Sequence, residues 1–194
     1  ARLGIPSASN FAKVVTTAGK RSTSFNSYVN ALIAERLTGD PTYVKTTEPM
    51  ERGTSLEDEA RAMYQLIEEV DVRQVDFIKH PNMEVGCSPD GLIDKEQDGL
   101  IGGLEIKCPL QGTHVEYLRA GKLPSKYLLQ VQGCMFVTGR GFWDFMSYHP
   151  KMRPFMIRTY RDDDLINELV TNLQEAVLMI EEGVNKFQWD GVNT

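Results

Sequence analysis

The chain has 194 residues, of which 41% are hydrophobic, enough for one well-filled core, so a single domain over residues 1–194 is predicted. No apolar run is long enough to cross a bilayer, and three scattered cysteines without a Cys-X-X-Cys pair disfavour a disulfide framework and a zinc or iron–sulfur site, so a reducing, cytoplasmic compartment is expected. The net charge of −6 excludes a surface that is basic throughout, and an acidic exterior with a locally basic channel would reconcile it with nucleic-acid binding.

The first predicted element is a short helix that begins near residue 8, where Ser7 or Ser9 suits the N-cap position. A helix N-terminus with hydroxyl groups beside Arg2 also suits a phosphate group, although capping alone is the simpler interpretation. The polar segment 16–24, which contains Arg21, is predicted to be either an ordinary solvated loop or a basic contact to a duplex backbone.

Two amphipathic helices are predicted next. Apolar residues recur at helical spacing over residues 25–38, and Gly39 is a natural stop for that helix. A second apolar stripe runs through residues 49–70, and Glu57 lies beside it. On the pattern alone, Glu57 is one acidic residue of a solvated helix face.

Short apolar runs predict strands at residues 72–79 and 83–87, and the second run leads into a Ser-Pro-Asp-Gly turn that contains Asp90. A further strand is predicted at residues 104–108. Residues two apart in a strand share a face, so Glu105 and the lysine two residues later point the same way. If this strand pairs with the short apolar run after Asp90, the two carboxylates converge.

The predicted convergence of Asp90, Glu105 and Lys107 suits a hard cation. Carboxylate oxygens without histidine or thiolate are typical ligands of Mg²⁺, which keeps several waters and polarises phosphodiesters. A lysine beside such an ion offsets the negative charge that develops on a phosphate under attack. The alternatives are an ordinary turn at Asp90 and a simple salt bridge on the strand face.

The rest of the chain is predicted to form two helices, two aromatic-rich strands and a last helix that Asp162 caps: residues 112–121, 125–137, 141–148, 154–160 and 162–182. The second of these helices carries Gln130 and Gln132 among apolar residues, and a buried amide must be hydrogen-bonded. The three histidines of the chain lack metal-ligand spacing and are interpreted as surface or loop residues.

Two stretches of the chain resemble one known family. Residues 87–92 (CSPDGL) and 103–109 (GLEIKCP) are similar to the motifs of the PD-(D/E)XK nuclease superfamily, in the branch of the phage-type 5′→3′ alkaline exonucleases, the YqaJ-type viral recombinases. Residues 2–9, 52–61 and 127–132 also resemble motifs of that branch. The resemblance therefore covers most of the chain, up to just past residue 132.

The resemblance implies an α/β fold with a restriction-endonuclease-like core, in which helices flank a central mixed sheet. It implies a Mg²⁺-dependent, processive 5′→3′ exonuclease on double-stranded DNA ends, with Mn²⁺ as an alternative metal. Similar enzymes form a ring-shaped homotrimer around DNA and leave a 3′ single strand for a single-strand annealing recombinase protein. A phage or prophage origin, in the cytoplasm of a bacterial host cell, follows from the same resemblance.

The resemblance also assigns roles to individual residues. It gives catalytic roles to five side chains: Glu57, Asp90, Glu105, Lys107 and Gln130. It places the metal on two carboxylates and one main-chain carbonyl: Asp90, Glu105 and Ile106. Lys107 would orient or help deprotonate the attacking water, and Asp58 and Glu59 are alternatives to Glu57. Contacts to the 5′ phosphate and to DNA fall on Arg2, Ser9, Ser88 and Arg21.

Two other functions agree with the sequence. One is a structure- or end-specific endonuclease of the same superfamily, and the other is a DNA-end-binding module without catalysis. The intact set of Asp90, Glu105 and Lys107 disfavours the second alternative.

Overall fold

The computed structural model describes residues 2–42 and 48–189. The α-helices and strands, in chain order, are α1 Phe25–Thr38, α2 Glu48–Glu68, β1 Ile78–Lys79, β2 Gly86–Cys87, β3 Gly91–Gln97, β4 Leu100–Lys107, α3 Gln111–Ala120, α4 Leu128–Thr138, β5 Phe142–Ser147, β6 Phe155–Tyr160 and α5 Asp163–Phe187. Short 3₁₀ helices cover Ala8–Lys13 and Ser125–Tyr127. No helix in these two described ranges is long and apolar enough to cross a membrane.

A mixed sheet with the strand order β3-β4-β5-β6 organises the chain. β3 and β4 form an antiparallel hairpin, β4 runs parallel to β5, and β6 returns antiparallel to β5. The hairpin turns at Asp98 and Gly99, which have φ of 52° and 77°, a conformation that Gly and Asp tolerate better than other residues. The predicted α/β fold, with helices around a central mixed sheet, is confirmed.

The alternation of side chains along the strands creates a separate core on each face of the sheet. Leu104 and Ile106 of β4 pack with Ala60 and Tyr64 of α2 on one face. Trp143 of β5 belongs to the opposite core, which α1, α4, α5 and the N-terminal 3₁₀ helix cover. Glu105 lies between Leu104 and Ile106 in sequence, so its side chain points to the face that α4 covers.

The helix boundaries follow the local signals closely. α1 ends at Gly39, which has φ of 77° and forms the left-handed C-cap. α5 begins after Asp162, whose carboxylate accepts a 3.0 Å hydrogen bond from the main-chain N–H of Leu165. The expected helix at residues 125–137 starts instead as the 3₁₀ turn Ser125–Tyr127 before α4.

The strands predicted at residues 72–79 and 83–87 are wrong in extent. Only Ile78–Lys79 and Gly86–Cys87 pair with each other, and Arg73 makes an isolated bridge to Leu92. The apolar residues of the first segment do not keep a two-residue alternation, so the segment cannot present one continuous face to a sheet.

The interpretation of the histidines as surface or loop residues is wrong for His114. Its ring is fully buried where α3 packs against the sheet. Nε2 donates to the main-chain carbonyl of Arg153 at 3.0 Å, and Nδ1 lies 2.8 Å from the hydroxyl of Ser147. Both ring nitrogens are therefore satisfied within the protein.

The N-terminal 3₁₀ helix packs tightly against Gly133 of α4. An added Cβ would lie 2.4 Å from the fully buried ring of Phe11, so we expect Gly133→Ala to lower the free energy of unfolding by about 1–3 kcal/mol in a denaturant titration. Gly112→Ala in α3 is the matched control, because no atom of the described residues lies within 4 Å of its added Cβ. We expect that control to leave the free energy unchanged or to raise it by up to about 1 kcal/mol. Equal losses in the two variants would contradict the packing account.

Candidate active site

The turn before β3 and the end of β4 bring two carboxylates and a lysine together. Asp90 immediately precedes β3, and the pairing of Gly91 with Leu104 sets it beside the next residues of β4. Its Oδ2 accepts a 2.6 Å hydrogen bond from the main-chain N–H of Ile106. Glu105 and Lys107 share one face of β4, and their side chains form an ion pair.

The main chain at Ile106 also faces Asp90. The N–H and C=O of one residue in a strand point to the same side, and this N–H is already bonded to Asp90. The Ile106 carbonyl therefore points toward the Asp90 side. The carbonyl of Lys107 points the other way and accepts a 2.8 Å hydrogen bond from the N–H of Tyr148.

α4 brings one glutamine to this cluster and directs the other away from it. Gln130 Nε2 donates a 2.6 Å hydrogen bond to Glu105 Oε1. Gln132 donates to the carbonyl of Tyr160 at 2.8 Å and accepts from the N–H of Asp162 at 2.9 Å. Gln130 thus reaches the carboxylates, whereas Gln132 ties the end of β6 to the start of α5.

α2 brings Glu57 to the rim of the same cluster. Glu57 and Asp90 both line an open cleft of about 430 Å³. The two alternatives on α2 point elsewhere, because Asp58 is 91% exposed and Glu59 accepts a hydrogen bond from the hydroxyl of Tyr148. Of the three acidic residues, Glu57 is the one that faces the cleft.

Arg61 connects α2 to the turn at Asp90, and the sequence pattern did not single it out. The Arg61 guanidinium is 2.6 Å from a carboxylate oxygen of Glu57 and donates to the main-chain carbonyl of Asp90 at 3.0 Å. Residues four apart on a helix are neighbours, so the spacing of Glu57 and Arg61 was a detectable signal for their pairing. The bond to Asp90 gave no such signal, since its acceptor is a main-chain oxygen.

Burial and the charges of the two carboxylates together set the electrostatics of the cluster. Burial raises the pKa of Asp90 to about 8, and the negative charge of Glu105 adds to this effect. Burial alone would lower the pKa of Lys107, but the charges of Glu105 and Asp90 outweigh it and raise that pKa above its ordinary value. Oε2 of Glu105 is buried and has no hydrogen-bond partner among the described residues.

A divalent cation fits this donor set. The unpartnered Glu105 oxygen, the raised pKa of Asp90 and the orientation of the Ile106 carbonyl are what a site built for a hard, oxygen-preferring ion would show. Within residues 2–42 and 48–189, no group of three or more His, Cys, Asp or Glu side chains is placed to hold a metal ion. Main-chain oxygens and water would therefore have to complete the coordination.

Residues 1–141 match the family described as the YqaJ-like viral recombinase domain. The chain belongs to this family. LHK-Exo, an alkaline exonuclease from Laribacter hongkongensis, is 36% identical, with a TM-score of 0.84 over 95% of this chain and 92% of that chain. A structure of LHK-Exo in complex with dAMP matches equally well. The predicted membership of the YqaJ-type family and the predicted nuclease activity are thereby confirmed.

A phage-related exonuclease from Haemophilus somnus 129PT is 15% identical to this YqaJ-like chain. Its TM-score is 0.73 over 94% of this chain and 96% of that chain, which supports the shared fold alone. A comparison with curated protein sequences found no match.

In this YqaJ-like chain, a contact between the N-terminal segment and β2 determines where the two serines predicted to bind phosphate lie. Ser7 forms an isolated parallel bridge with Gly86, and Ser9 and Ser88 each lie two residues beyond it. Both Ser9 and Ser88 are exposed. The fold thus brings the two serines to one region, next to the turn that contains Asp90.

The expected capping of the first helix is only partly correct. Ser7 occupies the N-cap position of the 3₁₀ helix Ala8–Lys13, but its side chain makes no capping hydrogen bond. Its hydroxyl lies 3.3 Å from that of Ser9 and accepts a 3.2 Å hydrogen bond from the side-chain amide of Asn10. The two hydroxyls therefore face each other instead of the helix end.

The two arginines predicted to contact DNA lie in different surroundings. Arg2 is exposed and lines a separate cleft of about 500 Å³ together with Ser7 and Lys13. Arg21 forms an ion pair with Glu175 of α5, and its guanidinium lies 4.4 Å from the ring centroid of Phe25. The structure therefore does not bring Arg21 into the carboxylate cluster, and its contact with DNA stays a prediction.

The raised pKa of Asp90 gives a testable pH dependence. Without a cation, the folded protein keeps the Asp90 proton up to about pH 8, whereas the unfolded chain releases it near 3.8. The folded state therefore binds more protons in between, and its stability is lost as the pH rises toward 8. In the presence of chelator, we expect the Tm to fall between about pH 5 and about pH 8, and Asp90→Asn to flatten this slope. An equal slope in the two proteins would contradict the assignment.

Proposed function

We propose that the chain is a Mg²⁺-dependent exonuclease that digests duplex DNA in the 5′→3′ direction from its ends. The observation that supports this most is the cluster of Asp90, Glu105 and Lys107. Asp90 and Lys107 line an open cleft, and one oxygen of the buried Glu105 has no partner among the described residues. The LHK-Exo structure with dAMP supports DNA as the polymer.

Asp90, Glu105 and the carbonyl of Ile106 would hold the cation. When bound there, Mg²⁺ would lower the pKa of a bound water and polarise the scissile phosphodiester. Gln130 donates to one oxygen of Glu105, which leaves the other oxygen without a partner among the described residues and available to the cation. Mn²⁺ would be accepted by the same oxygen ligands.

Lys107 is assigned to charge stabilisation and to orienting the attacking water. Its raised pKa keeps the ammonium protonated in this environment, so donation of hydrogen bonds is favoured over proton abstraction. Glu57, which lines the same cleft and pairs with Arg61, would be the additional acidic group.

The 5′ phosphate would be selected by Arg2, Ser9 and Ser88, and Arg21 would contact the duplex backbone. The shared region of Ser9 and Ser88 beside the Asp90 turn supports the first assignment. Processive action, a homotrimeric ring around DNA, a phage or prophage origin in a bacterial host cell, and delivery of the 3′ strand to a single-strand annealing protein are proposed on the family relationship.

Linear and covalently closed circular duplexes separate this function from its alternatives. We expect Mg²⁺-dependent digestion of the linear duplex and no opening of the closed circle. Opening of the circle would favour a structure- or end-specific endonuclease. Binding to DNA ends without turnover, with both Mg²⁺ and Mn²⁺ tried, would favour an end-binding module.

The phosphate assignment has its own test on linear duplexes that carry either a 5′ phosphate or a 5′ hydroxyl. The unaltered protein should digest the phosphorylated end faster, and Arg2→Ala should reduce this preference before it removes all activity, because the cation site does not include Arg2. Equal rates on both ends with the unaltered protein would contradict a phosphate pocket.

A further inference from the structure

We propose that Lys126, held over the ring of Tyr127 at the rim of the cleft, binds a DNA phosphate beside the one that is cleaved. The inference rests on the proposed nuclease function and adds a substrate-binding residue outside the carboxylate cluster. Four features of the described residues carry it.

The ring of Tyr127 contacts both Lys107 and Lys126. Its side chain lines the cleft that contains Asp90 and Lys107. The ammonium of Lys107 lies 5.4 Å from the centroid of the Tyr127 ring, and that of Lys126 lies 4.9 Å from the same centroid. Both distances are within the range of a cation–π contact. One ring therefore places a second cation next to the lysine proposed to act on the scissile phosphate.

The ring that carries Lys126 is itself fixed to the sheet. Tyr127 stacks on Phe145 of β5 with a centroid distance of 5.1 Å and an interplanar angle of 29°. Phe145 is fully buried, and Tyr117 of α3 meets Tyr127 edge-on at 6.5 Å. Lys126 also lies over the Tyr117 ring, with 5.6 Å to the centroid. The position of the Lys126 ammonium is thus set by aromatic rings anchored in the core.

The charge of Lys126 is available to a ligand, whereas other cations near the cleft are already engaged. Lys107 pairs with Glu105, Arg61 pairs with Glu57, and Arg52 donates to two main-chain carbonyls. Among residues 2–42 and 48–189, no carboxylate forms an ion pair with Lys126. The residue is exposed as well.

A phosphate is the ligand that this charge fits. The chain carries a net charge of −6, so a DNA strand is repelled by much of the surface and needs local cations where it enters. Phosphate contacts dominate the affinity of proteins for DNA, and each contact contributes to the salt dependence of binding. Lys126 has only the tyrosine side chains and no carboxylate partner among the described residues, and it contacts the same ring as the reacting lysine, so it suits the adjacent phosphate of the same strand.

Lys126→Gln tests this inference in the full chain. In steady-state digestion of linear duplex, we expect KM to rise about three- to tenfold with kcat nearly unchanged, and the slope of log(kcat/KM) against log[salt] to shrink by about one. Lys126→Arg should keep most of the affinity, since it keeps the charge and the aromatic contact. The matched control is Lys186→Gln, which removes a lysine that lies 5.6 Å from the Phe187 ring centroid on α5.

The affinity for a 5′-phosphorylated duplex, measured in chelator by fluorescence anisotropy, separates failure of this inference from failure of the proposed function. Lys126→Gln should raise the Kd about three- to tenfold, whether or not the unaltered protein cleaves DNA. An unchanged Kd and salt slope in Lys126→Gln, or an equal change in Lys186→Gln, would overturn the inference. An inactive wild-type protein would instead count against the exonuclease assignment.

Discussion

Replacement of Asp90 by asparagine should abolish DNA cleavage while the protein stays folded. Asparagine keeps the shape of the side chain and can still accept the hydrogen bond from the Ile106 N–H, but it no longer offers a charged oxygen to a cation. Metal-assisted stabilisation of the transition state is worth several kcal/mol, so we expect the rate to fall by about a thousandfold or more. Burial and the charge of Glu105 already favour the neutral form of Asp90, so the neutral amide should leave the metal-free protein at least as stable as the wild type.

Single-turnover digestion and a denaturant titration check both halves of this expectation. Asp98→Asn is the matched control, because Asp98 is an exposed carboxylate in the β3–β4 turn with φ of 52°, where asparagine is well tolerated. The control should cleave at the wild-type rate. A rate for Asp90→Asn within tenfold of the wild type would contradict the proposed cation site.

Replacement of Lys107 by methionine should slow cleavage by about a hundred- to a thousandfold while cation binding persists. Methionine keeps the length of the side chain but removes the ammonium that pairs with Glu105. Without this competing positive charge, the two carboxylates should bind Mg²⁺ at least as tightly as in the wild type. The defect should therefore lie in the chemical step, in contrast with Asp90→Asn, which should lose the metal.

Calorimetric titration with Mg²⁺ beside single-turnover rates separates the two variants. Lys122→Met serves as the control, since Lys122 is an exposed lysine between α3 and the 3₁₀ turn Ser125–Tyr127. It should change neither quantity. Loss of Mg²⁺ binding in Lys107→Met would show that Lys107 supports the structure of the site and has no direct role toward the phosphate.

The carboxylate cluster is accessible from sequence because it depends on local rules. Side chains alternate along β4, so Glu105 and Lys107 had to share a face. The short apolar run after Asp90 could pair with this strand as a hairpin or as a neighbouring strand, and the register of Gly91 with Leu104 shows a hairpin. The positions of Asp90, Glu105 and Lys107 therefore follow from the two-residue alternation of side chains in β4 and from the turn at Asp90.

The contacts in the site between residues on different helices and strands could not be derived in this way. Gln130 meets Glu105 only because α4 packs on the face of the sheet to which Glu105 points, and the pattern of α4 alone did not separate Gln130 from Gln132. Only the family resemblance singled out Gln130. The bond from Arg61 to the Asp90 carbonyl left no trace in the sequence at all.

The burial of Asp144 in the aromatic-rich strand β5 also could not be predicted from the sequence. Asp144 is 4% exposed and accepts hydrogen bonds from Tyr64 of α2 at 2.5 Å and from Arg158 of β6 at 2.8 and 2.7 Å. Tyr64 lies two helical turns after Glu57 on the same side of α2. The bond to Asp144 therefore anchors α2 to the sheet and helps to fix where Glu57 meets the cleft.

Metal-dependent 5′→3′ exonuclease activity is tested most directly by the digestion of a 5′-phosphorylated linear duplex. One strand of this duplex carries separate labels at its 5′ and 3′ ends. The reactions contain either Mg²⁺ or an excess of chelator. We predict Mg²⁺-dependent release of the 5′ label at once and of the 3′ label only late, with no release of either label in chelator. Early release of the 3′ label, or digestion that chelator does not affect, would contradict a metal-dependent 5′→3′ exonuclease centred on Asp90 and Glu105.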